Sequence, residues 1–191
     1  MTLLSIIIPL RENDEPTITK NSLLKGTYTK FEIIYSKDNG KGANYARNQG
    51  FKYCDTKYVL FSDNDLEWEP DAIETMINTL NKYKYISYVY GWYMRGKEKI
   101  GQQEFYSNLL KKKNFITTMS MMRSEVFPGF DENIQRLQDW DLWLNLLMKG
   151  KIPKYINKCM FKTDTSSGIT FGNPLSYEQA KKIILKKYKL I

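Results

Sequence analysis

The acidic tripeptide Asp63-Asn64-Asp65 suggests chemistry more directly than any other feature of this sequence. It directly follows Tyr58 to Ser62, whose apolar part has the composition of a buried strand. Two carboxylates one residue apart in extended backbone point to the same side, and their repulsion is costly unless a positive charge joins them. A divalent ion such as Mn²⁺ or Mg²⁺, bridging to a diphosphate, would supply that charge through oxygen ligands alone.

A plain turn and a calcium-binding loop are the two alternatives to a metal site that bridges to a diphosphate. Asp and Asn favour turns, so a plain turn is also consistent with it. A calcium-binding loop would place its acidic ligands at Asp63, Asp65, Glu67 and Glu74. That motif is disfavoured, because Trp68 stands where the loop requires glycine and because a strand rather than a helix precedes it.

The chain of 191 residues contains no histidine. Ser-His-Asp and Cys-His nucleophile systems, the HExxH motif and histidine-ligated zinc are therefore excluded. Cys54 and Cys159 lie far apart in the sequence, which gives little support to a zinc finger, a redox pair or a disulfide scaffold. Proton transfer would fall to Asp, Glu, Lys, Tyr or Cys, and a bound metal would be a hard, oxygen-preferring ion.

The balance of 29 Lys and Arg against 21 Asp and Glu gives a net charge of +8. This sign favours anionic partners such as phosphates, nucleotides, nucleic acid or an acidic membrane surface, but a solvated lysine-rich surface explains it equally well. The longest apolar run, Leu3 to Leu10, contains Pro9 and is too short to span a membrane. The sequence also lacks the pattern of a signal peptide, so we expect a cytoplasmic protein.

Alternating apolar and polar segments predict the elements that position the tripeptide. The run from Leu3 to Pro9 predicts a strand buried on both faces. Further strands are predicted over 31–35 and 58–61, and helices over 16–24, 43–53 and 70–81. This alternation is typical of an α/β fold with a mainly parallel sheet flanked by helices. Ligands bind beyond the carboxyl ends of strands in such sheets, which is where the tripeptide would lie.

The second half of the sequence has a less regular pattern. Strands are predicted over 85–93, 115–123 and 155–161, and a helix over 139–149. Ser176 and Gln179 form a capping-box pattern at the start of a last helix. That helix would turn Ala180, Ile183, Ile184 and Tyr188 inward and five lysines outward. The lysine face is interpreted as solvated, with docking on a membrane surface as the alternative.

Five segments occur in a recognisable order and spacing, although each alone is weak. They are 5–9, 32–35 with Asp38, Gly42 with the Ala-Arg-Asn-Gln-Gly run 46–50, 60–65 with Pro70, and 129–132 followed by 138–143. Together they resemble the family 2 glycosyltransferases of the GT-A fold, which transfer a sugar from a nucleotide diphosphate to an acceptor hydroxyl. The resemblance covers about residues 3–151.

The resemblance implies a set of residues that bind the donor nucleotide. Asp38 would accept a hydrogen bond from the base, and the turn Pro9-Leu10-Arg11 would pack beside it. Arg47 would reach the base or the diphosphate, where its planar fork binds oxygens in pairs. Asp63 would hold the ribose beside Asn64, and Asp65, with Asp63, would hold the metal.

The resemblance also implies that Asp139 is the general base, which would give inversion at the sugar carbon. Burial beside Trp140 and Trp143 would raise its basicity. Asp139 also begins the predicted helix, so an N-cap role is the alternative, and Asp141 is interpreted as a surface charge that stabilises the helix dipole. Acceptor binding is assigned to Trp140 and Trp92, with Tyr93 as a further aromatic that could stack on a sugar; large aromatics also fill cores.

Three departures from the family pattern qualify these roles. Lys37 replaces the first of two adjacent acids, which leaves uracil recognition to Asp38 alone, and Gln138 replaces a usual Glu. Many members supply a late histidine to the metal near the segment matching Phe161 to Ser166, and this chain has none. Asp164 or water would take its place, or the metal would depend on Asp65 and the nucleotide.

The sequence therefore predicts a metal-dependent, inverting glycosyltransferase of the hexosyl-transferring class, with a UDP-sugar donor, a carbohydrate acceptor and Mn²⁺ or Mg²⁺ as cofactor. One domain over 1–191 is expected, with a nucleotide-sugar-binding half (1–95), an acceptor-binding half (96–175) and a basic C-terminal helix (176–191), and this unit could belong to a larger protein. A sugar nucleotidyltransferase is the enzymatic alternative, disfavoured because 10–18 contains no glycine. A basic nucleic-acid-binding module is the non-enzymatic alternative, disfavoured because the positive charge is scattered lysine.

Overall fold

The computed structural model describes residues 2–164 and 175–191. The first half contains β1 (Leu4–Leu10), α1 (Thr17–Leu24), β2 (Phe31–Lys37), α2 (Ala43–Phe51), β3 (Tyr58–Phe61), β4 (Glu67–Trp68) and α3 (Ala72–Lys82). The second half contains β5 (Tyr88–Arg95), β6 (Glu98–Ile100), α4 (Ser107–Leu110), β7 (Met121–Arg123), α5 (Gln138–Met148), β8 (Pro153–Thr163) and α6 (Tyr177–Lys187). Apart from the short β4, the first half follows the predicted alternation of strands and helices.

Strands from both halves join in one sheet, whose order over the described residues is β2-β1-β3-β7-β5-β8-β4, with β6 beside β5. β1 is parallel to β2 and β3, and β5 is parallel to β8. β7 runs antiparallel between β3 and β5, and β4 and β6 are antiparallel additions. The α/β fold class is confirmed, and the sheet is parallel where the acidic tripeptide lies and mixed beyond it.

β1 is buried on both faces, as its apolar composition predicts. Leu4, Ile6 and Ile8 enter a core that also contains residues of α1 and α3. Ile7 faces the opposite core, which contains residues of α5 and α6. Gly50 of α2 lies so close to β1 that a Cβ atom there would come 2.6 Å from Ile7 Cγ2. Glycine therefore lets α2 pack directly against the strand that leads into the tripeptide's edge of the sheet.

The strand predicted over 115–123 is wrong for its first six residues, since β7 contains only Met121–Arg123. Side chains take hydrogen bonds that a strand ladder would use. The Ile116 N–H donates to Asn114 Oδ1 at 3.1 Å, and Ser120 Oγ donates to the Thr117 carbonyl at 2.7 Å. Such local side-chain bonds compete with sheet pairing, and here they shape an irregular segment.

The last helix has the predicted capping box. The Gln179 N–H donates to Ser176 Oγ at 3.2 Å, and the Ser176 N–H donates to Gln179 Oε1 at 2.9 Å. The predicted inward face is wrong at Ile183, which is 46% exposed, whereas Leu185 is buried. Lys187, predicted to face outward, instead pairs with two carboxylates. No helix in the described residues is both long and apolar enough to cross a membrane.

Candidate active site

A cleft of about 390 Å³ opens at the carboxyl ends of β1, β2 and β3. Parallel strands bring their carboxyl ends to one edge of the sheet, so three loops that are distant in sequence meet there. The cleft is lined by all seven residues predicted to bind the donor nucleotide, together with Asp65: these are Pro9, Leu10, Arg11, Asp38, Arg47, Asp63, Asn64 and Asp65. Asp14, Gly42 and Ala43 complete the lining.

The acidic tripeptide is held in place by a buried threonine of α1 that sequence reasoning missed. Thr19 Oγ1 lies 3.0 Å from the Asp63 carbonyl and 3.1 Å from the Leu66 carbonyl, and it accepts the Leu66 N–H at 2.8 Å. Trp68 is also buried and donates its indole N–H to Ser62 Oγ at 3.0 Å. The buried hydrogen bonds of Thr19 and Trp68 therefore fix the loop on both sides and orient its side chains toward the cleft.

Arg47 and Asp63 form an ion pair across the cleft, with Nη2 and Oδ1 2.8 Å apart. The Arg47 side chain is 5% exposed and the Asp63 side chain 40% exposed. Arg47 Nη1 lies 3.5 Å from Asn44 Oδ1, and its guanidinium lies over the Phe130 ring at 5.4 Å. Its Nε is buried without a hydrogen-bond partner among the described residues. Part of the positive charge that the two carboxylates require thus comes from the chain itself.

Asp38 lies in a tight turn at the end of β2. Its backbone N–H donates to the Leu10 carbonyl at 2.9 Å, and its Oδ1 accepts the Gly40 N–H at 3.0 Å. Gly42 precedes the first residue of α2 with φ +89°, a conformation that favours glycine. These contacts join the β1 and β2 loops and bring the amino end of α2 to the wall of the cleft.

A second cavity of about 340 Å³ shares Arg47 and Asp63 with the first, so the two cavities adjoin at this pair. Its other lining residues come from four separate stretches of the chain: Tyr93; Thr117, Thr118 and Met119; Arg136, Leu137, Gln138 and Asp139; and Tyr177. The irregular segment that replaces the predicted strand supplies one wall. Asp139 therefore lies on the other side of the Arg47–Asp63 pair from Asp65, the last residue of the acidic tripeptide.

Asp139 lies in the first turn of α5 but is not its N-cap. Leu137 takes that position with φ 63°, in the left-handed region, and no side chain caps the helix. Asp139 Oδ1 accepts the N–H of Trp140 at 2.8 Å. Burial raises the pKa of the Asp139 carboxyl, although the Trp140 N–H, the Asn114 side chain and the charge of Arg47 act in the opposite direction. The N-cap alternative is wrong, and Asp139 is a half-buried acid facing a cavity.

Trp140 and Asp141 do not have the environments expected from the sequence. Trp140 is 0% exposed and donates its indole N–H to the Leu110 carbonyl at 2.6 Å, so its ring is part of the core and cannot stack on a sugar. Asp141 is 3% exposed and paired with Lys187, which corrects its interpretation as a surface charge. Trp92 lines neither cavity, whereas its neighbour Tyr93 lines the second.

Tyr93 is half-buried and stacks on Phe161, with ring centroids 4.7 Å apart. Burial raises the pKa of its hydroxyl, and the negative charges of Asp139 and Asp63 also raise it, against the opposing charge of Arg95. The hydroxyl therefore stays protonated and can donate a hydrogen bond. The adjacent aromatic pair Trp92-Tyr93 was the only signal for this residue, and the strand register selected its second member.

Two asparagines of α2 bind the backbone of the segment that precedes α5. Asn48 makes a paired contact with the backbone of Phe130, accepting its N–H at 2.8 Å and donating to its carbonyl at 2.9 Å. Asn44 Nδ2 donates to the carbonyls of Asp131 and Ile134 at 2.9 and 3.0 Å. These hydrogen bonds from α2 therefore stabilise the position of the segment that precedes Asp139. Sequence reasoning assigned a role to Arg47 and missed these contacts.

The described residues include no group of three or more His, Cys, Asp or Glu side chains that could hold a metal ion. The tripeptide offers oxygen donors, the class that Mg²⁺ and Mn²⁺ prefer, but Asp63 is engaged by Arg47. These residues fit a metal that completes its coordination with diphosphate oxygens. Thr165 and Ser166, in the segment where many members supply a histidine, lie outside the described residues.

Comparison with known proteins places this geometry in a family. The model for "Glycosyl transferase family 2" matches residues 21–133, more than half of the chain. Two Escherichia coli relatives, named as UDP-Glc:alpha-D-GlcNAc-diphosphoundecaprenol beta-1,3-glucosyltransferases WfgD and WfaP, are 27% and 29% identical to it. Each match covers 78% of this chain and 72% of the relative. An uncharacterised glycosyltransferase of Rickettsia bellii is 26% identical over 87% of this chain, which spans only 26% of that protein.

Solved structures show the same fold. S. aureus TarS 1-349 in complex with UDP-GlcNAc superposes with a TM-score of 0.74 at 14% identity, over 98% of this chain and 72% of that one. The mannosyltransferase PcManGT from Pyrobaculum calidifontis, in complex with GDP-Man and Mn²⁺, gives a TM-score of 0.63 at 14% identity, over 90% and 58%. The chain therefore belongs to glycosyl transferase family 2 and is a glycosyltransferase of the GT-A fold.

Proposed function

We propose that this glycosyltransferase moves a sugar from a UDP-sugar to a hydroxyl of a glycan acceptor, with a divalent metal and with inversion at the sugar carbon. The observation that carries the proposal is that two cavities adjoin at the Arg47–Asp63 pair. One is lined by Asp38, Arg47 and the acidic tripeptide, and the other by Asp139. A sugar held at the shared wall would have its leaving group on one side and a base on the other.

The first cavity is the donor site in this proposal. Asp38 would accept a hydrogen bond from the base, Asn64 and Asp63 would contact the ribose, and Arg47 would bind diphosphate oxygens. UDP is favoured because two relatives are named as UDP-glucose enzymes and because TarS binds UDP-GlcNAc and UDP. The GDP-Man complex of PcManGT makes GDP-sugars the necessary comparison.

A metal at Asp65 would supply positive charge to the departing diphosphate when bound. Asp63 is the second predicted ligand, but Arg47 already balances its charge, so we give Asp65 the larger part. The chain's own oxygen donors are few, and we therefore expect the metal and the nucleotide to bind together. Mn²⁺ and Mg²⁺ both suit such a site.

Asp139 is the general base in this proposal. The acceptor hydroxyl passes its proton to the Asp139 carboxylate as its oxygen bonds to the anomeric carbon, and the bond from that carbon to the diphosphate oxygen breaks. The electron pair of that bond leaves with the diphosphate. Attack from the side opposite the leaving group inverts the carbon. The raised pKa of Asp139 makes the carboxylate a stronger base than a solvated aspartate.

The second cavity is the acceptor site. Its wall carries hydroxyl groups of Tyr93, Thr117 and Thr118, the amide of Gln138 and the guanidinium of Arg136. Hydroxyls and amides suit a saccharide, and an arginine suits a negative group attached to it. We favour a sugar linked to a diphosphate lipid, the acceptor in the names of both E. coli relatives.

The cytoplasmic location, membrane contact through the last helix and membership of a larger protein stay predictions.

The test is calorimetry of UDP-, GDP- and dTDP-sugars with and without Mn²⁺, followed by analysis of the released product. We expect tightest binding of a UDP-sugar with Mn²⁺ and release of UDP. Asp65→Ala should weaken Mn²⁺-dependent binding about 10- to 100-fold. Glu67→Ala, at an exposed carboxylate two residues further on, is the matched control and should bind normally.

Three outcomes would contradict the proposal. Binding that ignores Mn²⁺, or Asp65→Ala that behaves like wild type, would remove the metal assignment. Release of pyrophosphate would indicate a nucleotidyltransferase. Salt-dependent binding to random duplex DNA with no affinity for nucleotide sugars would favour the nucleic-acid-binding alternative.

A further inference from the structure

A charged cluster lies where the end of α6 meets the first turn of α5 and the segment before it. Lys187 Nζ lies 2.8 Å from Asp131 Oδ2 and 2.7 Å from Asp141 Oδ1. The Tyr188 hydroxyl lies 2.9 Å from the Asp141 carbonyl and 3.0 Å from Asp141 Oδ1. We call Asp131, Asp141, Lys187 and Tyr188 the α6 cluster.

Burial makes the α6 cluster more than a surface ion pair. The Asp141 side chain is 4% exposed, and those of Lys187 and Asp131 are 32% and 31% exposed. Without Lys187, two carboxylates would face each other and one of them would be almost fully desolvated. The hydrogen bond from Lys187 lowers the pKa of the Asp131 carboxyl. The lysine therefore fixes the separation of two segments of the chain.

Each carboxylate of the cluster leads to a different part of the site. The Asp131 carbonyl accepts the Asn44 side-chain N–H at 2.9 Å, and Asn44 contacts Arg47, which lines the donor cleft. Asp141 is two residues from Asp139 in the same helical turn, and its own N–H donates to the Leu137 carbonyl at 3.1 Å. The end of α6 therefore contacts Asp131, whose carbonyl binds Asn44, and also contacts the first turn of α5, which contains Asp139.

We infer that Lys187 and Tyr188 are positioning residues that hold the first turn of α5, so that the Asp139 carboxylate faces the shared wall of the two cavities. This inference rests on the proposed role of Asp139 as the base. Neither residue contacts either cavity, so the effect would pass through Asp141 and the helix backbone. A base displaced by a fraction of an ångström loses rate without loss of donor affinity.

The test is Lys187→Gln, compared with wild type for kcat, for UDP binding and for amide hydrogen exchange. We expect kcat to fall about tenfold with UDP affinity changed by less than about twofold. Asn44 binds the backbone carbonyl of Asp131 rather than its carboxylate, so this support of the donor cleft does not depend on the Lys187 charge, whereas Asp141 loses its counter-charge. The Trp140 and Asp141 amides should exchange faster, while those of α3 should not. Lys187→Arg should recover most of kcat, because it restores the charge and both contacts.

Lys158→Gln is the matched control. Lys158 has the same 32% side-chain exposure and makes a 2.7 Å ion pair with Asp71, away from both cavities. Its loss should leave kcat and exchange in α5 unchanged. If Lys187→Gln does not fold, Tyr188→Phe, which removes only the hydroxyl bonded to Asp141, decides the matter and should lower kcat about twofold to fivefold.

Unchanged kcat and unchanged exchange at Trp140 in the folded variant would overturn the inference, as would equal losses of kcat in Lys187→Gln and Lys158→Gln. Faster exchange throughout the protein would also overturn it, because that indicates a general loss of stability. The proposed function fails by a different result, which is absence of sugar transfer in wild type or normal transfer by Asp139→Asn. The exchange measurement does not depend on sugar transfer, so the two failures are distinguishable.

Discussion

The two cavities of the candidate active site are built in different ways. The donor cleft takes its lining from loops that directly follow three neighbouring strands, β1, β2 and β3, and from the start of α2. The second cavity takes its lining from four stretches between Tyr93 and Tyr177, one of which replaces a predicted strand. Local sequence patterns therefore identify the first cavity, whereas the second exists only after distant segments have packed.

Charge is also handled differently in the two cavities. In the donor cleft, Asp63 is paired with Arg47. In the second cavity, burial outweighs the hydrogen bonds and the Arg47 charge that act on Asp139, and its pKa is raised. A paired acid supports structure and ligand binding, whereas a buried acid with a raised pKa is suited to proton transfer. The following predictions test this difference.

The largest effect is expected from Asp139→Asn. The amide cannot accept the acceptor's proton, so kcat should fall about 10²- to 10⁴-fold. UDP binding should stay within about twofold of wild type, because the donor cleft keeps its lining and a single neutralised acid changes the local field little. Steady-state kinetics and calorimetry measure the two quantities, and substantial residual turnover would remove the proposed base.

Asp63→Asn should lower both the stability of the fold and the affinity for the nucleotide. The change leaves the buried Arg47 guanidinium without its counter-charge, and after allowance for solvent screening at Asp63 the free energy of unfolding should fall by about 1–3 kcal/mol. The Asp71→Asn control breaks a more exposed pair with Lys158 and should cost about 1 kcal/mol or less. Urea denaturation measures both, and equal losses would contradict the special role of the Arg47–Asp63 pair.

Trp140→Phe and Tyr93→Phe should separate packing from acceptor contact. Trp140→Phe loses ring volume and the bond to Leu110, so the free energy of unfolding should fall by about 1–3 kcal/mol with the acceptor KM unchanged. Tyr93→Phe keeps the ring and loses the hydroxyl, so the acceptor KM should rise about threefold to tenfold with little change in stability. A large acceptor effect from Trp140→Phe would restore its predicted stacking role.

The smallest effect is a displacement of the pH profile. Burial raises the pKa of Asp139, so the acid limb of kcat/KM should lie at higher pH than an ordinary aspartate would give. A carboxyl whose folded pKa lies above its unfolded pKa favours the folded state at low pH, and this contribution is lost as pH rises through the folded pKa. At neutral pH Asp139→Asn should therefore raise the melting temperature. A lowered melting temperature would contradict the raised pKa.

Prediction from sequence succeeded where one element decides the outcome. The buried β1, the parallel neighbours β2 and β3 and the capping box at Ser176 follow from composition, period and local hydrogen bonds. The family resemblance implied the donor-cleft residues, and most of them meet because strand ends of a parallel sheet share an edge. Prediction failed at 115–120 and at Trp140, where side-chain bonds to backbone and packing between helices decided the result.

The amino-acid sequence by itself determined the chemistry open to this protein: no histidine, an acidic tripeptide after a buried strand, and an acid at the start of a helix. Those properties depend on residue type and on neighbours a few positions apart. Tertiary structure alone decided which acid is paired and which has a raised pKa, which aromatic of Trp92-Tyr93 meets the cavity, and that Lys187 is bonded to Asp141. These depend on contacts between residues far apart in the chain. Electrostatic energy also depends on how deeply each charged group is buried, and burial differs strongly between residues only in the folded state.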